Sequence, residues 1–224
     1  MEKVLSKYLA EEDLLYSIKR RDEDNFPEKY PHRDLWYKDD ALMKWVSIIR
    51  SFESLAPENG KKVVDLGTGD CPVPHYLADL GNEVIGVDIG DNYGFFNPLI
   101  KQSLVKMVLQ DAWIFLEEQE TESVDIFIDS CAVTHFGSHG KAYSNQWHAC
   151  FERVNRVLKK DGYFIVSTDV NPNSTTGEYI SPEAIVEHAK NNQLFLVGDF
   201  DFETNKTYVP SRNDYSVAHF VFQK

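Results

Sequence analysis

A chain of 224 residues with 42% hydrophobic and 13% aromatic content is long enough to bury a substantial core as one globular unit. It is too apolar for a disordered acidic tail. The formal charge of 23 − 36 = −13 and the pI near 4.9 leave no basic excess to release counterions from phosphates, so nucleic acid is not an expected partner.

No apolar run approaches the roughly 20 residues that span a bilayer, and the opening MEKVLSKYLAEEDLL is charged and amphipathic. A cytoplasmic protein without membrane association is expected. Cys71, Cys131 and Cys150 show no CxxC spacing, so neither a disulfide framework nor a thiolate zinc site is indicated, and all three are read as reduced.

Residues 1–60 place their apolar side chains at helical spacing and read as a helical extension. One helix is expected over 2–20, with Val4, Leu5, Tyr8, Leu9 and Leu15 apolar. A second is expected over 36–54, where Leu42, Trp45, Val46, Ile49 and Phe52 form a stripe. The intervening RRDEDNFPEKYPHRD reads as a loop, since it holds two prolines and a charge run.

From residue 61 short apolar runs alternate with amphipathic stretches, the mark of βα units in a doubly wound, mostly parallel sheet. Seven strands are expected: 62–67, 82–88, 105–110, 123–129, 162–169, 194–202 and 216–223. The helix before the fifth carries Trp147, Phe151, Val154 and Leu158 on one face, with Lys159 and Lys160 set against its C-terminal dipole. In SPEA, Ser181 is the expected N-cap and Pro182 the first helical residue. The last two strands lie about a dozen residues apart without a helical pattern, which predicts antiparallel pairing.

The stretch VVDLGTGDCPVPHYLADLGNEVIGVD carries the densest chemical information. A buried strand ends in Gly67-Thr68-Gly69, Asp70 can cap the next helix, and Gly81 can end it. Missing side chains at Gly67 and Gly69 let a ligand approach the backbone at the carboxyl end of a strand, where open α/β sheets bind ligands. A bare GxG is equally compatible with a tight strand-to-helix turn. Asp88 follows Gly69 by 19 positions and ends the second strand, where a carboxylate can accept both hydroxyls of a ribose. Pro72 holds the third-glycine place of a GxGxxG pattern, which disfavours a pyrophosphate and leaves an adenosine without one.

These residues resemble the class I S-adenosylmethionine-dependent methyltransferases, over residues 61–224. Asp65-Leu66-Gly67-Thr68-Gly69 resembles the family's first motif, and Asp88, with Ile89 after it, the acid that ends the second strand. The resemblance places Asp111 opposite the adenine amino group with Ala112 and Trp113 nearby. It makes Asp129-Ser130-Cys131 the segment that bridges cofactor and substrate. Cys71 departs from the family where many members carry a third glycine. The implied fold is Rossmann-like, seven-stranded, with an antiparallel last strand. The implied cofactor is S-adenosyl-L-methionine, and Asp65 is the implied partner of its amino group. A turn or helix cap is the structural alternative for Asp65 and Asp111.

Methyl transfer is an in-line displacement, so the protein has chiefly to align the reactants and exclude water. His135, in VTHFGSHG just past the fourth strand, is the candidate base, because an imidazole titrates near ~6.5. A pocket or packing role is its alternative, and His139 is a weaker candidate. Arg33 and Tyr37, in a segment over 22–45 that can close as a lid, are candidate substrate contacts. Asp129, Asp169 and Asn171 at strand ends offer oxygen ligands for magnesium, but such carboxylates are common in α/β proteins and no metal is assigned.

The expected activity is methylation of an oxygen or nitrogen on a small-molecule acceptor. DSCAVTHF lacks the Asn/Asp-Pro-Pro-aromatic motif of nucleic-acid amino-methyltransferases. A nicotinamide oxidoreductase is opposed by Pro72 and the antiparallel last strand. A cofactor-binding regulator without turnover is the remaining alternative.

Overall fold

The computed structural model describes residues 44–45, 47–55, 59–69, 71, 73–90, 104–136, 144–171, 180–198, 207–208 and 216–224. The expected helix over 2–20, the loop after it, Asp70, Pro72, Arg33, Tyr37 and His139 lie outside these residues.

The first described element is helix α1, over 44–45 and 47–55. Trp45, Ile49 and Phe52 of the expected stripe are buried together with Ile48, so its described part is a core face, while Leu42 and Val46 lie outside the described residues. Strand β1 (Lys62–Leu66) leads into α2 (Val73–Asp79), and then come β2 (Glu83–Asp88) and β3 (Lys106–Leu109). Next are α3 (Ala112–Glu118), β4 (Val124–Ser130), a 3-10 turn (Val133–His135) and α4 (Ser144–Val157). The chain ends with β5 (Leu158–Val170), α5 (Pro182–Asn191), β6 (Phe195–Leu196), β7 (Thr207–Tyr208) and β8 (Ser216–Gln223).

The strands form one sheet in the order β3-β2-β1-β4-β5-β8-β6. Pairing is parallel from β3 to β5, with Val63 opposite both Val84 and Ile126. The last strand, β8, runs antiparallel to β5 and to β6. The expected seven-stranded, mostly parallel sheet with a reversed final strand is therefore present. The sequence reading did not include β7, a two-residue strand that pairs with β8 off this path. Among the described residues the sixth strand pairs at Phe195 and Leu196, and residues 199–202 of the expected span lie outside them.

Alternation along the strands builds two cores. Val64, Leu66, Phe127, Phe164 and Val166 face α3, α4 and α5, together with Trp147, Phe151 and Val154 of α4. Val63, Ile126, Ile128 and Ile165 face α1 and α2. Helix α1 is thus joined to the sheet as one layer of a three-layer sandwich. Polar contacts reinforce it: His219 on β8 lies 2.7 Å from the Ser51 hydroxyl of α1 and 2.6 Å from the Ser167 hydroxyl of β5.

Two local expectations change. Leu158 is buried as expected but opens β5 rather than closing α4. The chain turns at once through Asp161 at φ +62° and Gly162, where a Cβ would stand 2.8 Å from the Asp125 carbonyl oxygen. Lys159 points away from the dipole of α4 and pairs with both oxygens of Asp125 at 2.9 Å. Ser181 and Pro182 start α5 as expected, the Ser181 hydroxyl accepting from the Ala184 N–H at 3.2 Å.

Candidate active site

The carboxyl ends of β1, β2, β4 and β5 carry the polar groups. Asp65, one residue short of the end of β1, is fully buried, and neither carboxylate oxygen has a hydrogen-bond partner among the described residues. Burial pushes its acid up to about 8; the Thr68 hydroxyl opposes this, while the charges of Asp129 and Asp88 add to it. A carboxylate without partners in that position is destabilising unless something cationic meets it. Among the described residues no backbone amide donates to the Asp65 carboxylate, and the Thr68 hydroxyl donates to the Asp65 carbonyl oxygen at 3.3 Å.

The turn after β1 is stitched to β2. The amides of Gly67 and Thr68 donate to the Val87 carbonyl at 2.8 and 3.1 Å, and Cys71 N–H closes the turn onto Thr68 O at 2.9 Å. Gly67 has φ +70°, and a Cβ there would lie 2.2 Å from the Ala132 Cβ. Glycine at this place is required by the chain's own packing and backbone, whatever ligand approaches the turn. Gly69, at φ +49°, has none of the described residues within 4 Å of its absent Cβ, so none of them blocks approach to the backbone there.

Asp88, at the end of β2, accepts from Gly69 N–H at 2.8 Å and from Gly90 N–H at 2.9 Å, one bond to each carboxylate oxygen. The 19-residue spacing thus fixes the glycine turn directly, and each oxygen keeps lone-pair capacity for a further donor. Ile89 beside it is 80% exposed. Asp111 caps α3, its Oδ1 accepting from Trp113 N–H at 2.8 Å and Ile114 N–H at 3.3 Å. That is the capping alternative weighed for it from sequence, and its Oδ2 extends beyond the cap's needs. Ala112 is buried, and the Trp113 ring meets Phe136 edge-on at 5.2 Å with the Arg153 guanidinium 5.4 Å from its centroid.

At the end of β4, Asp129 is fully buried. One oxygen accepts from Ala132 N–H at 2.7 Å and Val133 N–H at 3.2 Å, holding the 3-10 turn that carries His135. Its Oδ2 has no partner among the described residues, and burial pushes the acid up to about 7. Ser130 is half-buried and registers with Ser167 of β5. Cys131 follows at φ +68°, a left-handed conformation uncommon for a residue with a side chain, and burial pushes its thiol well up. His135 is exposed at the end of the turn. Nearby, the hydroxyls of Thr134 and Thr168 share a buried 2.6 Å hydrogen bond that ties this turn to β5.

The sequence reading missed two groups. Lys44 of α1 reaches across the end of β5 to form an ion pair with Asp169 at 2.8 Å, both side chains under 10% exposed. Its signal was present, because positions 44, 48 and 52 share a helix face and the other two are apolar. Gln146, near the start of α4, is buried with neither amide atom partnered among the described residues; no motif marks it.

The family model described as Methyltransferase domain matches residues 57–211. The chain belongs to the class I S-adenosylmethionine-dependent methyltransferases, and its activity is methyl transfer from that cofactor. No curated protein matches the chain by sequence. Among solved structures it is similar to a 1,6-didemethyltoxoflavin-N1-methyltransferase of Burkholderia thailandensis, with 16% identity, 90% of this chain and 86% of that one covered, and a TM-score of 0.62. A TehB-like methyltransferase of Corynebacterium glutamicum shows 20% identity, 80% and 87% coverage and a TM-score of 0.53. A putative sarcosine dimethylglycine methyltransferase of Galdieria sulphuraria shows 14% identity, 82% and 86% coverage and a TM-score of 0.61. At these identities the likeness is one of fold.

Proposed function

We propose that the protein methylates an oxygen or nitrogen of a small-molecule acceptor, with the cofactor held along the ends of β1, β2 and β4. The observation that carries the cofactor's place is the buried Asp65 carboxylate, without a hydrogen-bond partner among the described residues, beside the Gly69 backbone, which none of those residues covers. When bound, S-adenosylmethionine supplies an electrophilic methyl carbon and a cationic amino group. Asp65 would meet that amino group, Gly69 would let the chain approach without a side chain, and Asp88 would accept the ribose hydroxyls with its spare lone pairs. Gly67 and Thr68 shape the turn. Ile89, Ala112 and Trp113 offer apolar surface to the adenine ring, and Asp111 Oδ2 an acceptor for its amino group. Asp129 and Ser130 form the floor between cofactor and acceptor.

On the acceptor side His135 is exposed and anchored by the turn that Asp129 holds, a position from which imidazole can take the acceptor's proton as the methyl is transferred. Arg33 and Tyr37, which lie outside the described residues, remain acceptor contacts of a lid proposed from sequence over 22–45, whose described end, Lys44 and Trp45, is docked in helix α1. His139, outside the described residues, stays a weaker acceptor-side candidate from sequence alone. A small acceptor is supported by the net charge of −13 and by a neighbour that methylates 1,6-didemethyltoxoflavin.

The test is a methylation screen of metabolites with the purified chain, beside calorimetry with S-adenosylhomocysteine and NAD. Binding of the former with methylated small molecules supports the reading. Cofactor binding without any methylated product would favour a regulator, and binding of NAD alone would overturn the cofactor assignment. Limited proteolysis tests the lid: cleavage at Lys29 and Arg33 should slow when S-adenosylhomocysteine and acceptor are present, and an unchanged rate removes Arg33 from the site.

A further inference from the structure

Three potential ligands of different chemistry converge beside the acceptor side: the Cys131 sulfur, a His135 ring nitrogen and an Asp169 oxygen, all within 4.8 Å of one another. They come from the end of β4, the turn after it and the end of β5. We propose that Cys131, His135 and Asp169 form a binding site for a thiophilic divalent cation, zinc in the first instance, with its fourth position open to the acceptor's heteroatom. This rests on the methyltransferase reading for its use, but not for its existence.

The donor set selects the metal. Magnesium and calcium prefer oxygen ligands, whereas a thiolate with an imidazole and one carboxylate is a zinc set, and three protein ligands leave the open position typical of reactive rather than structural sites. Tetrahedral zinc places its ligand atoms roughly 3–4 Å apart, so the trio has to contract by about 1 Å. His135, at the exposed end of the 3-10 turn, is the most exposed member of the set. Asp169 and Cys131 are held more firmly. Lys44 pairs with Asp169 at 2.8 Å, the kind of outer-shell donor that orients a ligating carboxylate. The turn at Cys131 is braced by Asp129, which accepts from Ala132 N–H at 2.7 Å.

Binding must release the thiol proton, so each cation taken up sends one proton to solvent and leaves a metal–thiolate bond. A cation there would bind an alcohol or thiol acceptor through its oxygen or sulfur and lower its pKa, so that its proton passes to solvent and the remaining anion attacks the methyl carbon. In the loaded protein His135 is then a ligand, and the metal takes over the work of making the acceptor a nucleophile. The sequence reading placed a possible metal on Asp129, Asp169 and Asn171; only Asp169 belongs to the set the fold assembles.

The experiment is titration of the full metal-free chain with Co²⁺ and competition by Zn²⁺. One equivalent should produce tetrahedral cobalt absorption with a sulfur-to-cobalt charge-transfer band, displaced by Zn²⁺. Cys131→Ser should abolish the band, while Cys71→Ser and Cys150→Ser retain it. His135→Gln, at an exposed position that does not endanger folding, should weaken binding at least ~10-fold. No band, or one that survives Cys131→Ser, overturns the site. S-adenosylhomocysteine binding, measured on the same samples, reports separately on the methyltransferase reading.

Discussion

Asp65 makes the cofactor site sensitive to pH. Its folded acid lies near 8 against an ordinary value of 3.8, so between those limits the folded chain holds a proton that the unfolded chain has lost. The stability of the free protein that depends on Asp65 is present below about pH 4 and is lost as pH rises through 8. A cationic partner favours the ionised form, so binding of S-adenosylhomocysteine should strengthen from pH 6 to 8, by up to about tenfold per unit. Asp65→Asn should bind weakly and lose that pH dependence; calorimetry across the range checks both, and a flat wild-type profile rejects Asp65 as the amino-group partner. The two glycines of the turn should separate. Gly67→Ala meets Ala132 at 2.2 Å and should destabilise the free protein by more than the ~1–2 kcal/mol of left-handed strain. Gly69→Ala meets nothing within 4 Å and should cost about that strain alone, while cofactor affinity falls. Thermal melts and titrations of the two variants distinguish the cases. Asp88→Ala should lose on the order of 2–3 kcal/mol of cofactor binding and also lower the melting temperature, because two backbone amides lose their acceptor.

At the scale of elements, α2 carries an imidazole that finds no polar partner among the described residues. His75 is buried with both ring nitrogens unsatisfied, and burial lowers its acid to about 4 from 6.5. Below pH 6.5 the unfolded chain takes up a proton that the folded helix resists, so this contribution to stability is lost as pH falls from about 6.5 to about 4. His75→Leu removes the group at similar volume. Its stability relative to wild type should rise as pH falls, by on the order of 2–3 kcal/mol near pH 4, as read by denaturant titrations at pH 7 and pH 4.5; a constant difference refutes the account. Helix α1 is fastened differently, through four apolar side chains, the Ser51–His219–Ser167 contacts and the Lys44–Asp169 pair. Breaking a buried pair by removing one partner leaves the other charge uncompensated, so Lys44→Met should cost about 3–5 kcal/mol.

For the molecule as a whole, the reversed β8 is inserted between β5 and β6, where Phe220 and Phe222 are buried in the core. The candidate site lies at the carboxyl ends of the parallel strands, which the ligand would engage only in the folded chain, so binding should stabilise the folded state by mass action. S-adenosylhomocysteine at 100 times its dissociation constant should add about 2.7 kcal/mol of stability, while NAD at the same concentration should leave the melting temperature unchanged. Among the described residues no helix is long and apolar enough to cross a membrane.

Much of this was legible in the sequence because it depends on neighbours along the chain. Strand and helix order followed from periodicity, the reversed final strand from the shortness of its connection, and the glycine turn with Asp88 from spacing. Ser181 and Pro182 announced α5 through cap chemistry confined to four residues. What the sequence left open depends on which side chains meet across the sheet. Gly67 is glycine partly because Ala132, distant in sequence, occupies the space of its Cβ. Lys159 serves Asp125 rather than its own helix, and Lys44 turns inward because β5 presents Asp169 to it. The convergence of Cys131, His135 and Asp169 likewise arises only where β4 and β5 end side by side. Local patterns determine elements because backbone geometry has a fixed period; pair contacts at a site are decided by packing between elements, which no period encodes.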